Sequence, residues 1–111
     1  MLKRIKKIFY RCYENTEITY EVLKNMMKNN SVILIDVRSN QEYKEGHLEG
    51  AINVPLYNLK NDISKYVSNK EDVLILYCSS GYRSKKAEDL LKKLGYVNIY
   101  TLKNGMEKYV L

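Results

Sequence analysis

The residues best suited to chemistry lie in one short stretch, Cys78-Ser79-Ser80-Gly81-Tyr82-Arg83-Ser84. A thiol leaves an apolar run, small and polar residues follow, and a strong amphipathic pattern begins at Ser84. A short loop closing onto a helix N-terminus turns several backbone N–H groups toward one point and makes an anion cradle. Small residues at 79–81 let the backbone approach closely, and Gly81 can take a conformation that other residues resist. The helix dipole and Arg83 both favour negative charge, so Cys78 is expected to be more thiolate than a free cysteine. The same donors suit a persulfide anion or a sulfur oxyanion, and an activated thiol is a covalent catalyst. The alternative is a strand-end cysteine that packs as a small hydrophobe. The loop by itself leaves both readings open.

Other polar residues stand near a second apolar run. Asp36 and Arg38 follow Ile35 and could orient the Cys78 loop; an ion-pair role for Arg38 is preferred to direct substrate contact. His47, between two glycine-containing turns, reads as a residue that ties down its loop, with a general base as the lesser alternative. Cys12, Cys78 and the single histidine do not make a usual zinc site, so no metal is expected. The start lacks the pattern of a secretory signal, which favours free thiols in a reducing cytoplasm.

The elements that must position these residues show in the periodicity. Val32–Ile35 and Val73–Tyr77 are continuous apolar runs too short for helices, as suits strands buried on both faces of a parallel sheet. Shorter strands are expected at Ala51–Val54 and Asn98–Tyr100. Thr19 can cap a helix with apolar positions Val22, Leu23, Met26 and Met27 that ends at Asn29-Asn30. Further helices are expected near Gln41–Glu45, Asn58–Tyr66 and Ser84–Leu94. In the last, Ala87, Leu90, Leu91 and Leu94 form one stripe, and Gly95 stands where a left-handed cap belongs. Strands alternating with helices imply an α/β fold with a mostly parallel sheet, and function then collects beyond the carboxyl ends of the strands.

The 111 residues fit one compact domain. Of 19 cations, five (Lys3, Arg4, Lys6, Lys7 and Arg11) fall in the first eleven residues, which hold no acid. The formal charge of +6 is therefore a property of the N-terminal segment, and the rest is nearly neutral. A groove that follows phosphates needs clustered cations on the body, so no nucleic-acid partner is expected. Residues 1–15 are read as a basic amphipathic segment, with Met1, Leu2, Ile5, Ile8, Phe9 and Cys12 on one side of a helical wheel. Its docking on the domain formed by 16–111 is preferred to contact with an anionic membrane surface.

The Cys78–Ser84 segment resembles the active-site loop of single-domain rhodaneses: Cys, two residues, Gly, one residue, Arg, Ser. Leu34-Ile35-Asp36-Val37-Arg38, Glu42-Tyr43, Gly46-His47-Leu48 and Ala51-Ile52-Asn53-Val54-Pro55 resemble the first signature of that family, and Leu102-Lys103-Asn104-Gly105 its closing turn. The resemblance spans about Ile18 to Tyr109. It implies a three-layer α/β/α fold around a five-stranded parallel sheet. It further implies that Cys78 takes sulfane sulfur from a small anion such as thiosulfate and passes it to cyanide, a thiol or a protein acceptor. Ser79 to Ser84 would form the substrate- and persulfide-binding loop, and no cofactor is implied. Asn104 stands where many relatives carry one glycine of a pair, and the chain has no Trp.

Two rivals differ in kind. Phosphatases and arsenate reductases with a related fold place five residues between the loop Cys and Arg, whereas four, Ser79 to Tyr82, stand here. The tighter ring suits a single sulfur better than a tetrahedral oxyanion. A binding module or a persulfide carrier for a partner protein is the other rival; inactive relatives typically lose the loop cysteine, which this chain keeps.

Overall fold

The computed structural model describes residues 16–29 and 31–106; the basic N-terminal segment, Cys12 and Tyr109 lie outside them. Five strands form one sheet: β1 (Glu17–Ile18), β2 (Val32–Asp36), β3 (Ile52–Asn53), β4 (Val73–Tyr77) and β5 (Asn98–Leu102). Their order is β1-β5-β4-β2-β3, and all four pairings are parallel. Four helices connect them: α1 (Tyr20–Asn29), α2 (Asn40–Glu45), α3 (Leu59–Tyr66) and α4 (Tyr82–Lys93), with a 3-10 turn at Leu56–Asn58.

The strand period of two divides the apolar residues between two layers. On one face Leu34, Ile75 and Tyr77 pack with Leu23 of α1, Leu48 and Met106. On the other, Ile35, Leu74, Leu76 and Cys78 pack with Leu59 and Ile63 of α3 and with Ala87 and Leu91 of α4. The result is the three-layer α/β/α arrangement, with β4 and β2 sheltered in its middle. Leu91 is fully buried, so its truncation to alanine would cost about 2–5 kcal/mol.

Several details differ from the sequence expectation. β1 pairs Glu17 with Thr101 and Ile18 with Leu102, and two residues are too few to leave a periodic signal. Its partner β5 runs on to Leu102 rather than ending at Tyr100. Glu88, which lies outside the apolar stripe of its helix, is nonetheless buried, with Lys92 Nζ at 3.3 Å and Lys85 Nζ at 4.0 Å. Among the described residues, no helix is long and apolar enough to cross a membrane.

Candidate active site

The register of β2 against β4 places Asp36 beside Tyr77, so the segments after both strands emerge at the same edge. Met106 N–H donates to the Cys78 carbonyl at 2.9 Å, and Val37 N–H to the Tyr77 carbonyl at 3.0 Å. These bonds tie the start of the Cys78 loop to its neighbours.

Helix α4 starts at Tyr82, two residues before the Ser84 start expected from the sequence, so Tyr82 and Arg83 belong to its first turn. Gly81 is the cap residue at φ +105°, a left-handed conformation suited to glycine, and it has no side chain with which to cap. The thiol fills that role. Cys78 Sγ accepts from Gly81 N–H at 3.0 Å and from Ser84 N–H at 3.4 Å, and lies 3.7 Å from Ser84 Oγ. The Ser84 hydroxyl donates to the Gly81 carbonyl at 3.0 Å. Unsatisfied helix-start N–H groups thus converge on sulfur, the placement that stabilises negative charge there. Cys78 is fully buried. Burial alone would suit a packing residue, but packing does not require two N–H donors aimed at the sulfur.

Arg83 is turned toward α2. Its two terminal nitrogens donate to the Glu42 carboxylate at 2.7 and 2.9 Å, a parallel fork, and Nη2 also reaches Ser79 Oγ at 3.5 Å. Glu42 is itself fixed by a capping box: Ser39 N–H donates to it at 2.9 Å, and Glu42 N–H donates to Ser39 Oγ at 3.2 Å. The Arg83 hydrogen bonds hold the Glu42 carboxyl down at about 2, against a smaller opposing effect of burial. The same bonds raise the Arg83 guanidinium, with a further contribution from the nearby Cys78. Ser80 and Tyr82 are exposed, and the Tyr82 ring lies 4.9 Å from Lys86 Nζ.

Asp36 and Arg38 form a separate buried pair. Arg38 Nη2 donates to Asp36 Oδ2 at 2.7 Å and Nε to both carboxylate oxygens at 3.1 Å, and Nη2 also donates to the Gly46 carbonyl. Burial would lower the Arg38 guanidinium, yet the Asp36 contacts outweigh it and raise it. Tyr77 lies under Arg38 at 5.8 Å and its hydroxyl accepts from Leu48 N–H at 3.0 Å; burial pushes that phenol well above its ordinary range. The pair ties the segment after β2 to the backbone at Gly46. His47 stacks on Tyr43 at 3.7 Å between ring centroids, and its Nδ1 lies 2.8 Å from the Tyr43 carbonyl.

Sequence reasoning singled out neither Glu42 nor Gly105 as part of the site. The spacing Ser39-x-x-Glu42 is a capping-box signature and could have placed the carboxylate on the first turn of α2. Gly105, at φ +71°, lies so close to the Cys78 loop that an added Cβ would sit 2.1 Å from the Ser79 carbonyl oxygen. Asn104 before it is also left-handed, at φ +63°, a conformation that asparagine tolerates better than most residues. This accounts for an asparagine at the residue before Gly105.

Comparison with known proteins agrees with this geometry. A family model described as a rhodanese-like domain matches residues 19–111. A tRNA uridine(34) hydroxylase of Buchnera aphidicola subsp. Baizongia pistaciae is 36% identical over 101 residues, covering 86% of this chain and 32% of that protein. The thiosulfate sulfurtransferase PspE of Escherichia coli K12 is 38% identical over 65 residues, covering 59% of this chain and 62% of its own. A solved structure described as a rhodanese with anions from E. coli has a TM-score of 0.61 and 35% identity, covering 68% of this chain and 86% of the other. The chain thus spans about a third of the length of the first relative and under two thirds of the second.

Proposed function

The chain belongs to the rhodanese-like domain family, and on that premise we propose that it is a sulfurtransferase in which Cys78 carries the transferred sulfur. The observation that carries this reading is the convergence of Gly81 and Ser84 N–H groups on Cys78 Sγ. In the first half-reaction the thiolate attacks the outer sulfur of a donor such as thiosulfate. A Cys78–sulfur bond forms, the donor's sulfur–sulfur bond breaks, and sulfite leaves with the electron pair. In the second, a nucleophile such as cyanide attacks the outer persulfide sulfur and the Cys78 thiolate is released. Neither half requires a net oxidant or a cofactor.

Each loop residue has a part in this reading. Gly81 and Ser84 supply donors to the sulfur anion, and Ser79, Ser80 and Tyr82 keep the mouth narrow and uncharged. Arg83 provides the loop's cation, while Asp36 and Arg38 act as positioning residues for the adjoining segment. Burial of Sγ shields a persulfide from water, so donor entry requires the loop to yield. Thiol chemistry of this kind suits a reducing cytoplasm.

The test is thiocyanate formation from thiosulfate and cyanide by native protein and by Cys78→Ser. The variant should fold and lose activity, since a hydroxyl does not hold sulfane sulfur under these conditions. Equal turnover by a folded Cys78→Ser protein would remove the thiol from the mechanism. The identity to a tRNA uridine(34) hydroxylase favours a second reading, participation in uridine modification. The spacing of the thiol and its cradle explains sulfur transfer more directly. Specific tRNA binding by the chain, coupled to loss of sulfur transfer, would favour the second.

A further inference from the structure

The loop's cation does not stand alone. Arg83 is matched by the Glu42 carboxylate at 2.7 and 2.9 Å, and Ser79 Oγ lies 3.4 Å from the same carboxylate. Glu42 is no chance surface partner, because the capping box with Ser39 fixes its place on the first turn of α2. The two nearest lysines of α4 are also engaged, Lys85 with Glu17 at 3.8 Å and with Glu88 at 4.0 Å, and Lys86 over the Tyr82 ring. The cradle therefore offers a thiol and backbone donors, but little net positive charge. Ser79 Oγ, within the loop, lies 3.4 Å from the carboxylate and 3.5 Å from the guanidinium, so a dianion bound beside it would feel both charges.

We infer that Glu42 is a positioning residue that sets the charge selectivity of the site, holding Arg83 in place and cancelling its charge so that singly charged or neutral sulfane-sulfur donors are favoured over dianionic ones. The inference rests on the sulfurtransferase reading. Thiosulfate and methanethiosulfonate isolate the effect, because both deliver a terminal sulfur to the thiolate and differ by one unit of charge. With methanethiosulfonate, Cys78 gains the sulfur, the donor's sulfur–sulfur bond breaks, and methanesulfinate leaves with the electron pair. Charge and electrons balance in both cases.

The experiment measures kcat/KM for each donor with native protein, Glu42→Gln, Arg83→Gln and the double variant, at low and high salt. Glutamine keeps an oxygen to cap Ser39 N–H, so Glu42→Gln should retain the helix start. At low salt it should raise the thiosulfate-to-methanethiosulfonate ratio by roughly four- to tenfold, the worth of one unpaired cation acting on one extra negative charge nearby. Arg83→Gln should lower the ratio, and the double variant should return it toward native, a rescue that lost packing would not produce. High salt should compress all four ratios. An unchanged ratio in Glu42→Gln, with turnover intact, overturns the selectivity role and leaves sulfur transfer standing. If native protein accepts sulfur from neither donor, both readings fail.

Discussion

Arg83 binds Glu42 through two parallel hydrogen bonds of 2.7 and 2.9 Å, so the one cation of the Cys78 loop is shared with a carboxylate 41 residues earlier. Removing the guanidinium leaves that carboxylate uncompensated beside the loop. Arg83→Ala should therefore slow thiosulfate-dependent sulfur loading of Cys78 by roughly tenfold at low salt. Arg83→Lys should recover part of the loss, because charge is kept while the planar fork is not. Single-turnover loading followed by mass spectrometry gives the rates. Loading by Arg83→Ala at the native rate would make Arg83 a packing residue.

The same pair makes stability depend on pH. The Glu42 carboxyl is lowered to about 2, chiefly by the Arg83 hydrogen bonds, so its contribution is full above the ordinary carboxylate range. It is lost as pH falls from about 4.5 through about 2, where the folded carboxyl takes up its proton. Both side chains are about one third exposed, which limits the contribution to about 1 kcal/mol. Urea unfolding should show Glu42→Gln less stable than native at pH 7 and the difference shrinking toward pH 2.5. A difference that stayed constant with pH would show that ionisation of Glu42 is not its source.

Gly105→Ala should damage the site from outside the loop. The added methyl would meet the Ser79 carbonyl oxygen at 2.1 Å, a backbone atom that cannot swing aside, at a residue already left-handed. Either the closing turn or the Cys78 loop must move, at a cost of about 2–4 kcal/mol and most of the activity. Thermal unfolding and thiocyanate formation measured together would check this. A stable, fully active Gly105→Ala protein would mean that the two turns are not coupled.

Asp36→Ala should be among the most destabilising single changes, at about 3–5 kcal/mol, because it strands the buried Arg38 guanidinium. Replacing both partners, as in Asp36→Ala with Arg38→Met, should recover part of the loss by removing the orphaned charge. Chemical denaturation of the two proteins separates a positioning pair from a substrate contact. A double variant no more stable than Asp36→Ala would argue against the ion-pair account.

Much of this was legible in the chain. Val32–Ile35 and Val73–Tyr77 announced central strands because burial on both faces removes the polar alternation of an exposed strand. The loop from Cys78 to Arg83 was legible because a thiol, small residues and a helix start have few ways to combine. The site's electrostatics were not. Glu42 meets Arg83 only through the juxtaposition of β2 and β4, and no local pattern reports a contact across 41 residues. The early start of α4 was hidden for a related reason: its cap acceptor is the Cys78 sulfur, not a side chain at Gly81. Gly105 was visible as part of a turn, but not as the floor beneath Ser79.

The central claim is that Cys78 itself carries sulfur, and intact-mass analysis after thiosulfate treatment tests it most directly. The protein should gain one sulfur atom, peptide mapping should place it on Cys78 and not on Cys12, and cyanide should remove it with release of thiocyanate. A protein that gains no sulfur, or gains it only on Cys12, would contradict the account.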